Sequence, residues 1–355
     1  MNTLWKRSLI VGLLLVAAVM LTVQLVAADP YVESLAVSAA AAGTTENGLA
    51  YDTNDIIVRE TSVVTDTAIN TAYTNWYTLF DGDAFGLTNK HAIDAISISY
   101  SEEVPGTVCG LYCVDAIYMS FLQQAIPVPG IPGKVLAQDV VAFTTADNGG
   151  SGGTSVNTVG GSYSMFFDGS DVGLTTTAEK IDGLDVWGGY TPFEVEFPYD
   201  CSAGILFIST HGAYRVPAAN GGSLVGEGND VLLFCATNLG SDTAGFWFRG
   251  FDASDQDWPN AALNAVSGLD IESFFPFLPG EQEEEEAAYL LFTFTVKKSF
   301  SVPFANGGPS EIFGYPEGCS DTVVGPLDDL NETWPALNGT VAGYDMLTDL
   351  VASDC

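Results

Sequence analysis

The sequence predicts an all-β protein built from tandem four-stranded repeats of about 85 residues. Three observations predict it: a composition rich in strand formers, short apolar runs punctuated by Gly, Pro, Asn and Ser, and motifs that return at a constant spacing. Gly (38 residues), Val, Thr, Phe and Tyr are abundant and Lys and Arg are scarce, a mixture that favours strands over helices. Hydrophobic residues make up 47% of the 355 positions and charged residues 15%, so the chain can bury a core and does not have the composition of disorder.

The chain opens with a leader pattern. Lys6 and Arg7 precede an apolar stretch from Leu9 to Val26, and Val26 and Ala28 suit the small-residue positions of a cleavage site before Asp29. Residues 1–28 therefore read as a signal peptide, with an uncleaved membrane anchor as the alternative. Both place the remainder in a secreted or cell-surface location. No second apolar run of that length follows, so no membrane insertion is expected once the leader is removed. Residues 29–54 read as an N-terminal extension, and 55–355 as the β-repeat domain, in four units of which the first and last are incomplete.

Within that domain, WYTLFDGDAFGLT returns as YSMFFDGSDVGLT and, more loosely, as FWFRGFDASDQDW. The anchoring Phe80, Phe167 and Phe251 are 87 and 84 residues apart. A second motif follows each copy: IDAISI from Ile93, IDGLDV from Ile181, VSGLDI from Val266 and, more weakly, VAGYDM from Val341. A third is VDAIYMSF from Val114, GILFIST from Gly204 and YLLFTFT from Tyr289. The fourth begins at Asp55 (DIIV), Asp139 (DVVAF), Asp230 (DVLLF) and Glu311 (EIFGY). Each run has strand length and turn-rich flanks. Alternation places Trp76, Tyr163 and Trp247 at one recurring position, either as core aromatics packed between repeats or as a surface platform for sugars. The first unit lacks an LFIST-type strand and the last ends just after its VAGYDM strand. Such offset ends suit a ring in which the two termini complete one sheet, a β-propeller or propeller-like closed ring. Tandem β-sandwiches and a β-solenoid are the alternatives.

The combination of a DAL-type strand, an LFIST-type strand, a DLLxF strand and an FDGSDVGL turn resembles a repeat of exported, mostly uncharacterised microbial proteins. The resemblance spans about Asp55 to Met346 and is best at Phe167–Leu174. It implies an extracellular repeat module and brings no catalytic residues with it. A fainter similarity, in the IDA motifs and in Trp258-Pro259 and Trp334-Pro335, is to hemopexin-like four-bladed propellers, whose repeats are much shorter; it is an analogy of fold alone.

The acid excess, 45 against 10 bases for a net charge of −35, repels phosphates and excludes nucleic acid as a partner. It favours cations, basic partners or a high-salt solvent; a glycan or protein partner fits an exported repeat. The FDG turns concentrate carboxylates: Asp81 and Asp83, Asp168 and Asp171, and Asp252, Asp255 and Asp257. Clustered oxygen ligands in tight loops are what calcium needs, so these seven are the candidate metal ligands; the alternative is that Asp and Gly serve the turns themselves. The EQEEEE run from Glu281 reads as a solvated loop. Six cysteines (Cys109, Cys113, Cys201, Cys235, Cys319 and Cys355) allow up to three disulfides in fifteen pairings. Asn331 and Asn338 open glycosylation sequons.

Catalytic signals are poor. His91 and His211 are the only histidines, and the GGSGG around Ser151 lacks the strand-turn-helix setting of a nucleophile elbow. The function expected is a non-catalytic binding or structural role at the cell surface or in the extracellular matrix. The alternative is a secreted hydrolase acting on polysaccharide through paired carboxylates.

Overall fold

The computed structural model describes residues 34–63, 72–101, 113–146, 160–187, 200–254, 258, 265–276, 288–296, 300–302, 305–307, 309, 311–315, 324–329 and 341–346. In chain order the strands are β1 (Ser34–Ala39), β2 (Gly43–Thr44), β3 (Ala50–Tyr51), β4 (Ile56–Val63), β5 (Ala72–Phe80), β6 (Ile93–Ser101), β7 (Cys113–Phe121), β8 (Val140–Thr145) and β9 (Gly161–Phe167). They continue as β10 (Ile181–Trp187), β11 (Gly204–Thr210), β12 (Tyr214–Pro217), β13 (Ser223–Gly226), β14 (Val231–Asn238) and β15 (Ala244–Phe251). The last are β16 (Val266–Pro276), β17 (Ala288–Val296), β18 (Phe300–Val302), β19 (Ala305–Gly307), β20 (Glu311–Tyr315), β21 (Val324–Asp329) and β22 (Val341–Met346). The described residues contain no α-helix, and none of their helices is long and apolar enough to cross a membrane.

Sixteen of the strands form four antiparallel sheets, ordered β22-β1-β4-β5, β6-β7-β8-β9, β10-β11-β14-β15 and β16-β17-β20-β21. Each sequence motif keeps one place in every sheet where it occurs, and the fourth strand of the last sheet, VGPLDD, carries no FDG copy. The IDA-type segments are the first strands, the LFIST-type the second, the DVLLF-type the third and the FDG-type the fourth. The first sheet combines the two ends of the chain, because β22 pairs antiparallel with β1, Leu35 opposite Met346. Its second strand is SLAVSA, inside the segment expected to be an N-terminal extension; the first unit does have its second strand, one made of small residues that hide the motif. The first strands also pack on one another: β6 on β10 and β22, and β16 on β10 and β22.

The core lies between successive sheets. Ile56, Val58 and Phe80 of the first sheet meet Ile96, Ile117 and Phe143 of the second. Val140 and Phe167 meet Leu184, Leu206 and Phe234 of the third. Ile205, Phe207 and Leu233 meet Leu269, Phe292 and Phe294 of the fourth. Adjacent residues of β11 and β14 therefore point into two different cores, and every residue of β11 is buried. This is why GILFIST and DVLLF read as unbroken apolar runs, whereas half-buried strands alternate.

Trp76, Tyr163 and Trp247 are 2%, 8% and 2% exposed. All three are buried, Tyr163 and Trp247 in the cores between successive sheets, and the surface sugar platform is set aside for them. Gly161 and Gly245, two residues earlier in β9 and β15, make room for the rings of Phe143 and Phe234: a Cβ there would sit 2.4 and 2.6 Å from the ring atoms. Within the third unit, Cys201 and Cys235 form a disulfide across 34 residues of chain, which stabilises by about 4 kcal/mol on the loop-entropy scale. Cys109, Cys319 and Cys355 lie outside the described residues.

Because β22 is the only partner of β1 on that side, deleting residues 341–355 leaves Leu35–Ala39 as an open apolar edge. The truncated chain is expected to lose its cooperative melting transition or to aggregate, and circular dichroism melts with light scattering check this.

Candidate functional site

Three equivalent aspartates organise the ends of the sheets. Asp55, Asp139 and Asp230 immediately precede the third strands. Each donates its own N–H to the carbonyl three residues back, on Asp52, Leu136 and Glu227. Its Oδ2 accepts the N–H of that same residue, at 2.7, 2.7 and 3.0 Å. Its Oδ1 reaches the turn after the fourth strand and accepts the N–H of Gly82, Gly169 or Ala253, each at 3.1 Å. One carboxylate thus closes a turn and fastens a neighbouring strand end. The buried N–H groups of Gly82, Gly169 and Ala253, left without it, would each cost about 1–3 kcal/mol. Burial outweighs these hydrogen bonds in setting the acidity, and pushes all three above the ordinary carboxylate value. Asp139 is raised to about 6, with the nearby charges of Asp168 and Asp171 adding to the effect of burial.

The candidate calcium ligands stand one step outward, in the turns these aspartates hold. Asp81 Oδ1 accepts from the Ala84 N–H at 3.1 Å, and Asp83 Oδ1 accepts from Asn54 Nδ2 at 3.0 Å. Asp168 caps the 3-10 turn Gly169–Val172, taking the Ser170 N–H and hydroxyl at 3.1 and 2.6 Å. Asp252 takes the Ser254 N–H and hydroxyl in the same way and pairs with Arg249. Asp171 Oδ2 accepts the Thr243 N–H, while Thr243 Oγ1 accepts the Asp168 N–H, so this turn also holds the loop between β14 and β15. Gly86 and Gly173 end the first two turns at φ +81° and +103°, which only glycine adopts freely. Asp255 and Asp257 lie outside the described residues. Among the described residues, no three His, Cys, Asp or Glu side chains converge as a metal group.

The joint between sheets repeats too. The N–H groups of Ile93, Ile181 and Val266, which open the first strands, donate to the carbonyls of Thr53, Ala137 and Gly228 in the preceding sheet. Ser120 Oγ donates to the Ile181 carbonyl and Ser209 Oγ to that of Val266, at 3.2 and 3.0 Å. The serine of the YMSF and LFIST motifs is therefore a bolt between sheets. Asp185 of β10, buried and held above the ordinary carboxylate range by that burial, spans β6 and β16. It accepts from Ser97 Oγ at 3.1 Å, Trp187 Nε1 at 2.8 Å and the Ile271 N–H at 3.1 Å.

Both histidines sit in bends beside strand ends, and the Thr88 hydroxyl lies 3.1 Å from His91 Nδ1. His91 Nδ1 accepts the Thr88 N–H at 3.0 Å, and its Nε2 lies 2.7 Å from the Pro127 carbonyl, so Nε2 carries the proton. Glu179 has the same post one repeat later. Its Oε2 accepts the Thr175 and Thr176 N–H groups and its Oε1 the Arg215 N–H, at 2.8, 2.7 and 2.9 Å. The partner explains the exchange: Pro127 has no N–H and needs a donor, whereas Arg215 offers one and needs an acceptor. Although burial works against its charge, these N–H groups hold Glu179 below the usual carboxylate range. His211, half exposed, stands with Nδ1 4.0 Å from Oδ1 of the fully buried Asp182. The Ser151 loop and the acidic run from Glu281 lie outside the described residues.

One groove, of about 710 Å³, runs beside β9 between the Gly130–Lys134 turn and the Asn238–Asp242 loop. Its floor is the strand edge at Tyr163–Met165, and Asp168, Asp242 and Lys134 stand around it. Nothing in the sequence motifs pointed to it.

Against known proteins, no family model, no curated protein and no solved structure matches the chain.

Asp139 gives the pH prediction. With its acidity shifted upward, its contribution to stability is complete below the ordinary value of 3.8 and is lost as pH rises through about 6. The melting temperature of the wild-type chain relative to Asp139→Asn should fall across that window. A flat difference between the two proteins from pH 4 to 7 would contradict it.

Proposed function

We propose that this chain is an exported scaffold protein with a non-catalytic binding or structural role at the cell surface or in the extracellular matrix. Its four sheets are arranged as a four-bladed, propeller-like ring. The contacts of β6 and β16 with both β10 and β22, and the sheet shared by β1 and β22, support the ring. The observation that carries the functional reading is the use the fold makes of its motif carboxylates. Asp55, Asp139, Asp168, Asp230 and Asp252 all satisfy backbone N–H groups of the turns that follow the fourth strands. The recurring acids are thus engaged in holding sheet ends rather than grouped for proton transfer to a substrate.

Export is supported by the leader pattern and by the Cys201–Cys235 bridge, a bond that persists in oxidising compartments. Charge then sets the conditions of use. A chain of net charge −35 repels copies of itself, and cations, including calcium, screen it collectively or bridge it to other acidic surfaces.

Fractionation of the native source with N-terminal sequencing tests this reading. The protein should begin at Asp29, appear in the envelope or medium, leave the envelope on treatment with chelator or high salt, and release no reducing sugar from polysaccharides. A cytoplasmic chain retaining Met1, or steady polysaccharide cleavage by the purified protein, would overturn it.

A further inference from the structure

The fourth strands are the open edges of their sheets, and two of them are closed at the same place. In the first sheet Asn47 Nδ2 donates to the Trp76 carbonyl at 2.9 Å. In the third, the Ala219 N–H donates to the Trp247 carbonyl at 3.3 Å, and Ala218 bridges Trp247 as a short parallel pair. Tyr163 is the equivalent residue of the second sheet. There the intervening turn stands off: a Cβ on Gly130 would be 3.7 Å from the Tyr163 carbonyl oxygen. Among the described residues no donor reaches that oxygen. The Tyr163 hydroxyl is also buried without a hydrogen-bond partner among them, whereas Trp247 Nε1 at the equivalent post donates to the Val172 carbonyl at 2.8 Å. The space left by the missing clip is the groove of about 710 Å³ along Tyr163–Met165, a volume typical of ligand sites.

We infer that this groove is a docking site for an extended, basic peptide segment of a partner protein, which adds to β9 as a further strand. The backbone edge supplies hydrogen bonds of the kind the other two sheets make internally. The far end of β9 is already capped, where the Gly240 N–H donates to the Phe166 carbonyl at 2.7 Å, so the site is short and has a defined end. Charge selects the occupant. Asp168 and Asp242 flank the groove against one cation, Lys134, on a chain of net charge −35. A second copy of this chain is repelled and a basic segment attracted. A sugar would want an exposed aromatic face, and Tyr163 is buried. The inference narrows the binding role proposed above to one surface and one class of partner. It rests on the groove and not on export, so the fractionation result and the binding result can fail separately.

The test is fluorescence anisotropy with three labelled seven-residue probes: alternating threonine and lysine, alternating threonine and glutamate, and the lysine probe methylated on alternate backbone nitrogens. The lysine probe should bind the intact protein with a Kd on the order of 10 μM at low salt, weakening as salt rises. The glutamate and N-methylated probes should bind at least about tenfold more weakly. Ser241→Trp, which fills the groove from an exposed position, and Asp242→Lys should each weaken the lysine probe by about tenfold or more while leaving the melting temperature in place. Equal binding of the N-methylated probe, no effect of Ser241→Trp in a folded protein, absence of lysine-probe binding, or binding of a neutral β-glucan hexasaccharide in its place would each overturn the inference.

Discussion

The interaction on which the rest of the structure depends is the clasp made by Asp55, Asp139 and Asp230. A four-stranded sheet that buries both faces must end its strands without stranding backbone polar groups in the core. One short carboxylate, anchored by a turn of its own residues, satisfies two N–H groups in different strand connections and fixes the distance between them. Asn cannot replace it fully, because both oxygens accept. Desolvating a carboxylate opposes folding, which is why all three are less acidic than usual, and the clasp persists because the alternative is an orphaned buried donor at Gly82, Gly169 or Ala253. With the turn so placed, the carbonyls of Thr53, Ala137 and Gly228 face the first strand of the next sheet, and one sheet is registered on the next.

Variation among the repeats is informative because the frame is constant. His91 and Glu179 do one job with opposite hydrogen-bond polarity, each matched to the residue it meets. Trp247 and Tyr163 fill one core position, yet only the tryptophan has a carbonyl within reach of its polar atom. Asn47 and Ala219 guard two strand edges by different means, and the third edge borders a groove. Where a repeat departs from its siblings without a compensating partner, the departure marks a place with work other than folding.

Much of this was legible in the sequence. The unbroken apolar runs of GILFIST and DVLLF announced strands buried on both faces, and the returning motifs announced one sheet per unit. Three things were hidden, each for a physical reason. SLAVSA carries no large side chain and follows a leader, so it did not read as the missing second strand although it fills that place. The carboxylates of the FDG turns drew attention by crowding; the aspartates that hold those turns were visible as the opening residues of DIIV, DVVAF and DVLLF, but the N–H groups they accept lie 23 to 30 residues away, so their role was not. The groove is defined by a hydrogen bond that two sheets make and one does not, which no residue type encodes.

The most direct test of the account is native-state hydrogen exchange at the amides of Ile93, Ile181 and Val266, the three donors that join one sheet to the next. If the clasp and the joint make the sheets one cooperative unit, all three should exchange only through global unfolding, with the same free energy as each other and as the melting transition. Exchange of any one through local opening, well below the global value, would contradict it.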